Sequence, residues 1–187
     1  FMHPKDKGNR TIFGDAGSAT FISSEGFAEI GNFSLGTDGR GAENLIVKSG
    51  GMRYREKIND LQFDEGNGNP RSSDYLYMNG AEIFNFTIDA VPPLIEDASV
   101  KNSLTSTDIN GYVFHQANKF IINFLRKKIK IEPDKFYIYM SEVGNTVSNS
   151  IPIVLVEKQK EQSLKGNILL AGFGVGYSYG ATVLKFI

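Results

Sequence analysis

The chain has 187 residues, of which 41% are hydrophobic and 22% charged, with a formal net charge of -1, a balance that fits one globular domain or a domain with part of a second. No apolar run approaches the roughly 20 residues of a membrane-spanning helix, and the near-neutral charge gives no nucleic-acid footprint. Cysteine is absent, which excludes a disulfide framework, a thiolate metal site and a thiol nucleophile within this sequence.

The opening Phe1-Met2-His3-Pro4 shows neither an initiator at position 1 nor a leader pattern and reads as a piece of a longer chain. Thr11-Ile12-Phe13 and Thr20-Phe21-Ile22 flank the small-residue run Gly14–Ala19, predicting two strands joined by a tight crossing. No helix pattern follows, so the run reads as close backbone packing rather than a phosphate loop, and Asp15 as a turn or hydrogen-bonding residue. Alternation over Phe27–Leu35 predicts one further strand, ended by turn chemistry across Gly36–Gly41. The polar, Gly- and Asn-rich stretch Asn59–Asp74 predicts an exposed loop, and a boundary there divides residues 1–72 from 73–187.

Tyr75–Gly80 leads into a predicted helix over Ala81–Val91, with Ile83, Phe84, Ile88 and Val91 at helical spacing. Pro92-Pro93 should end or kink it, with Leu94–Val100 resuming. Asp108–Phe114 reads as a buried strand, and Asn118 as the cap of a helix from Lys119 to about Lys127. Phe120, Ile121, Ile122, Phe124, Leu125 and Ile129 fall on one arc of that helix, with Lys119, Arg126, Lys127 and Lys130 opposite. Lys128 falls on the apolar side, where its stem must snorkel or the helix must fray. Phe136–Met140 predicts another strand, Gly144–Ser150 a loop, and Ile151 the start of a helix that tolerates Pro152 in its first turn. Ile168–Ala171 predicts a strand, Gly172–Gly176 a turn and Tyr179–Phe186 a closing strand, giving an α/β fold with helices packed on a mixed sheet.

Three loops follow buried strands, at His115, Asn145 and Phe173, and ligands in such sheets gather where strands end and loops converge. The chain has two histidines; His3 lies near the terminus, which leaves His115 as the imidazole available for chemistry near neutral pH. A neutral imidazole N–H and a carboxamide N–H aimed at one point would make an oxyanion site without a metal. On residue type alone, a histidine at a strand end is more often a structural hydrogen-bonder, and Asn after Gly a turn residue.

His115-Gln116-Ala117-Asn118, then Gly144-Asn145-Thr146 with Ser148, Ser150 and Ile151-Pro152, then Gly172-Phe173-Gly174-Val175-Gly176-Tyr177-Ser178-Tyr179-Gly180 resemble, in order and separation, the three C-terminal signatures of β-ketoacyl-acyl carrier protein synthase III. Phe13-Gly14-Asp15-Ala16-Gly17 and Met78-Asn79-Gly80 with Phe84 resemble two further segments of that family. The resemblance implies the thiolase-like fold: a C-terminal half with a mixed five-stranded sheet over residues 73–187, preceded in 1–72 by closing strands of the N-terminal half. It implies an acyltransferase in fatty acid biosynthesis, in which a cysteine of the N-terminal half takes an acyl group from acyl-CoA and the enolate from malonyl-acyl carrier protein attacks it.

The same resemblance implies that His115 and Asn145 donate to the malonyl thioester carbonyl. Phe173, Gly174, Val175, Met78, Gly80 and Asn118 would form the substrate pocket, the Val175 N–H facing the acyl-cysteine carbonyl. For Phe173, core packing stands as an equal alternative. Lys119, Arg126 and Lys127 would contact the acidic carrier protein or the phosphates of coenzyme A; a solvated helix face is the competing reading. Phe120 stands where the family often has an arginine, which removes a usual contact. The implied setting is a cytoplasmic homodimer with no covalent cofactor, no metal, no nucleic acid and no membrane span, using coenzyme A and acyl carrier protein thioesters as substrates. With the cysteine half missing, this chain alone is expected to be inactive and to seek a partner through uncovered apolar surface. Two alternatives stand beside this: an acyltransferase relative making an ester or amide without decarboxylation, and a non-catalytic half pairing with a separate cysteine-bearing subunit.

Overall fold

In the computed structural model, which describes residues 1–187, a long antiparallel hairpin is the axis of the fold: Gly166–Gly174 turns through Val175–Tyr177 into Ser178–Phe186. In chain order the elements are β1 (Ala28–Ile30), β2 (Ser34–Thr37), β3 (Leu45–Ile46), β4 (Gln62–Phe63), β5 (Pro70–Arg71), β6 (Tyr77–Met78), α1 (Gly80–Lys101), β7 (Ile109–Phe114), α2 (Lys119–Ile129), α3 (Ser150–Lys160), and the hairpin strands β8 and β9. The main sheet has five strands in the order β1-β9-β8-β7, with β2 also on β9. β7 and β8 run parallel; β9 is antiparallel to β8, β1 and β2. The sheet is therefore mixed, as the sequence led us to expect. β1 and β2 lie before position 72 yet share this sheet with β9, while β3–β6 and β4–β5 make separate two-stranded ribbons.

β7 is buried at Ile109, Tyr112, Val113 and Phe114, the near-continuous apolar run of a parallel strand covered on both faces. On one face α1 (Phe86, Val91, Leu94, Ile95, Ala98) and α2 (Ile121, Ile122, Leu125) pack with Phe114, Leu169, Phe173 and Val183. On the other, Val154 of α3 and Leu164 meet Val113 and Ile168. No helix is long and apolar enough to cross a membrane.

Several expectations need correction. Residues 14–22 form no strands; Asn9–Thr11 is a 3₁₀ turn and Phe13 makes one isolated parallel bridge to Asn145. Close packing does hold at Gly14, where an added Cβ would lie 2.0 Å from the Val143 carbonyl oxygen. The strand expected over Phe27–Leu35 divides into β1 and β2 because the Asn102 side chain takes the backbone of Asn32, accepting its N–H at 2.7 Å and donating to its carbonyl at 3.0 Å. Gly172–Gly174 continue β8, and the turn begins only at Val175, with Gly176 at φ 69°.

α1 runs unbroken through Pro92 and Pro93. Pro92 has no N–H for the Ile88 carbonyl, the hydrogen-bond loss that ordinarily disrupts a helix interior. The Lys128 ammonium supplies the donor instead, 2.7 Å from the Ile88 oxygen. This also explains the lysine on the apolar side of α2: its stem crosses to α1 and its charge caps a freed carbonyl.

Phe136–Met140 is not a ladder strand. It bridges β7 once, through Tyr112 and Phe136, and Tyr137 N–H donates to Tyr112 O at 3.0 Å. Beyond that point the fully buried Gln116 takes over: its Oε1 accepts from Tyr139 N–H at 3.0 Å and its Nε2 donates to Phe114 O at 2.7 Å. A side-chain amide thus stands in for the missing strand pairing and fixes the approach to the Asn145 loop.

Candidate active site

His115 follows β7 directly, and its backbone N–H donates to Ala171 O at 2.8 Å, extending the β7–β8 ladder one step past the strand end. The ring meets Phe173 edge-on, with centroids 5.5 Å apart, and Nδ1 lies 2.8 Å from Ser150 Oγ. Burial lowers the imidazole from 6.5 to about 4, against a smaller opposing pull from the Val147 carbonyl. At neutral pH His115 is uncharged.

Asn145 is buried, and its backbone is clasped by the N-terminal segment: Asn145 N–H donates to Ile12 O at 2.9 Å and its carbonyl accepts from Gly14 N–H at 3.0 Å. Gly144 sits at φ 66°, where an added Cβ would come 2.9 Å from the Ile12 oxygen, so only glycine fits. The Asn145 Oδ1 accepts from Val147 N–H at 2.9 Å, which commits the oxygen end and leaves the amide hydrogens as the available donors.

Ser150 opens α3 and is 2% exposed. Its Oγ contacts His115 Nδ1 and the Val147 carbonyl, each at 2.8 Å, and accepts from Gln116 N–H at 3.2 Å. His115 and Asn145 are therefore joined through Ser150 and Val147, one holding the ring and the other the carboxamide. Sequence reading missed Ser150 and Val147 as site residues; a serine opening a helix signals an N-terminal cap, not a ring partner.

Phe173 lies beside His115. Asn118 is the cap of α2, accepting from Ile121 N–H at 2.8 Å. Met78 pairs with Leu45 in the β3–β6 ribbon, Gly80 opens α1, Gly174 ends β8, and Val175 is exposed in the hairpin turn; no hydrogen bond or ring contact ties these four to His115. Lys119 and Lys127 are exposed, whereas Arg126 Nη1 donates to Ile131 O at 3.0 Å near its own helix end. Phe120, on the apolar arc of α2, is 70% exposed and packs on Phe84 with ring centroids 5.6 Å apart. A groove of about 730 Å³ runs between α1, β2 and β9 past Asp38, Glu82, Asp89 and Tyr177, and neither His115 nor Asn145 lines it.

Residues 100–186, which contain all three loops, match the family model of the 3-oxoacyl-[acyl-carrier-protein] synthase III C terminal. The β-ketoacyl-[acyl-carrier-protein] synthase III of Clostridium tetani is 35% identical over 98% of this chain and 55% of its own length. That of Clostridium perfringens is 33% identical over 97% and 54%. A crystal structure of a 3-oxoacyl-(acyl-carrier-protein) synthase III superimposes with a TM-score of 0.88 at 37% identity, covering 100% of this chain and 57% of that one. In sequence and in fold the chain matches the C-terminal portion of the 3-oxoacyl-[acyl-carrier-protein] synthase III family.

It has the thiolase-like fold of that family. The synthase III of Thermus thermophilus, at 29% identity, superimposes with a TM-score of 0.74 over 97% of this chain and 54% of its own. The chain spans about half the length of the relatives it matches.

Proposed function

We propose that this chain is the enolate-stabilising half of a synthase III that condenses an acyl group with malonyl-acyl carrier protein in fatty acid synthesis. The observation that carries this reading is the uncharged His115 linked through Ser150 and Val147 to an Asn145 whose oxygen end is already committed. In the proposed reaction the bond from the malonyl α-carbon to its carboxylate breaks and carbon dioxide leaves. The electron pair moves onto the thioester carbonyl, whose oxygen becomes negative. His115 Nε2 and Asn145 Nδ2 donate to that oxygen, a task suited to neutral N–H donors held in a water-poor site. The enolate carbon then attacks an acyl-cysteine and expels its thiolate.

That cysteine lies outside this sequence, which has none, so the proposal places the nucleophile in an N-terminal half and expects the present chain to be inactive by itself. Phe173, buried against His115, would border the malonyl carboxylate, where an apolar neighbour favours loss of the charged group. The exposed Lys119 and Lys127 would meet the acidic carrier protein, and acyl-CoA would supply the acyl group to a cytoplasmic dimer.

In a full-length protein carrying His115→Ala, malonyl decarboxylation should fall by about a hundredfold or more while acyl transfer from acyl-CoA onto the cysteine continues. Unimpaired decarboxylation would overturn the assignment. Ester or amide formation without carbon dioxide release would instead identify a non-decarboxylating transferase.

A further inference from the structure

Ser150 Oγ is engaged by three groups and owns a single proton. Gln116 N–H, 3.2 Å away, can only donate; the Val147 carbonyl, 2.8 Å away, can only accept. These two contacts have fixed directions: the oxygen receives from Gln116 and the hydroxyl gives its proton to Val147. At the third contact, 2.8 Å to His115 Nδ1, the ring must then be the donor. With the hydroxyl turned to Nδ1 instead, Ser150 Oγ and Val147 O would face each other at 2.8 Å with no proton between them. The Val147 carbonyl also accepts the Ser150 backbone N–H, so it is the better-established acceptor of the two.

We propose that Ser150 is a positioning residue that sets the tautomer of His115: in the unliganded chain it holds the ring proton on Nδ1, and Nε2 faces the site as a lone pair. A neutral imidazole has only one N–H, so this ring cannot donate from Nε2 until the tautomer changes. The change is balanced. The hydroxyl keeps its proton and turns from the Val147 oxygen to Nδ1, while the ring gives up its Nδ1 proton to water and takes one from water at Nε2. An oxygen that gains negative charge beside Nε2 favours the second arrangement, so the serine hydroxyl acts as a two-position selector between a ring that accepts and a ring that donates. Its consequence for enolate formation rests on the function proposed above; the resting tautomer does not.

The experiment uses the 187-residue chain labelled with ¹⁵N-histidine, in which only His3 and His115 can report. Two-bond proton–nitrogen correlation spectra at pH 7 assign each ring, with His115→Gln identifying the His115 signals by their loss. The expected pattern is a protonated Nδ1 and a bare Nε2 at His115. In Ser150→Ala the ratio should move toward the Nε2–H form by about fivefold or more, the scale of one net hydrogen bond, with the His3 signals and far-ultraviolet circular dichroism unchanged. A His115 ring in the Nε2–H form in the unsubstituted chain overturns the proposal, and so does an unchanged ratio in Ser150→Ala. Decarboxylation by the full-length His115→Ala protein tests the function separately, so failure of one is distinguishable from failure of the other.

Discussion

Val147 donates its backbone N–H to Asn145 Oδ1 at 2.9 Å while holding a left-handed φ of 54°. A β-branched residue is rarely found there, and such conformations persist where the surroundings over-determine them, commonly at functional sites. Here the strained residue aims the carboxamide at one end of the site, and its carbonyl meets Ser150 at the other.

Replacing Val147 by Asn, which tolerates the left-handed region better, should raise stability by about 1 kcal/mol. The valine side chain is 51% exposed, so little packing is lost. Urea denaturation of both chains checks this; a clear loss of stability would show that the valine packs better than its exposure suggests.

Asn145→Asp keeps an oxygen for Val147 N–H but replaces the amide donors with a second oxygen and adds charge where the proposed function places a developing anion. In the full-length enzyme, decarboxylation should drop by about a hundredfold or more, while the acyl-loading step survives. Carbon dioxide release and acyl labelling, measured on the same preparation, separate the two effects.

His115 titrates near 4 in the folded chain against 6.5 as its ordinary value. Between these values the unfolded chain binds the extra proton, so stability is fully present above pH 6.5 and falls as pH falls toward 4. From pH 7 to pH 5 this histidine should account for about 2 kcal/mol of lost stability. His115→Gln should flatten that part of the profile, read from denaturation midpoints at each pH; an unchanged slope would show that the ring is not held neutral by burial.

Pro92 and Lys128 should be energetically coupled through the Ile88 carbonyl. Pro92→Ala restores a helical N–H and should stabilise the chain by about 1–3 kcal/mol. Lys128→Ala should cost about 1–2 kcal/mol alone and nearly nothing when combined with Pro92→Ala, whose backbone N–H then supplies the donor. A double-mutant cycle measures the difference; additive effects would mean that the ammonium contributes nothing at this carbonyl.

The three loop signatures, the buried β7, the Asn118 cap and the β8–β9 pair were legible because each depends on residues adjacent in sequence: an apolar run, a capping side chain, a turn. What escaped depends on partners distant in the chain. Nothing near Pro92 announces that Lys128 will donate across the α1–α2 contact, and nothing near Phe136–Met140 shows that Gln116 will replace its ladder. The helical wheel placed Phe120 correctly beside other apolar residues but could not show that its neighbour would be Phe84 at the surface rather than the core. Ser150 was visible as a helix-opening serine; its bond to the ring exists only because the Asn145 loop folds back over His115.

The Asn145 clasp sets a lower limit on the unit that can form this site. Residues 100–186 contain both His115 and Asn145, yet the backbone that pins Asn145 comes from Ile12 and Gly14. Closing that contact means joining the two ends of most of the chain, an entropy cost met late in folding rather than at nucleation. The carboxamide should therefore settle only after the sheet is complete, and a polypeptide trimmed to its signature-bearing region would carry the right side chains on an unfastened loop.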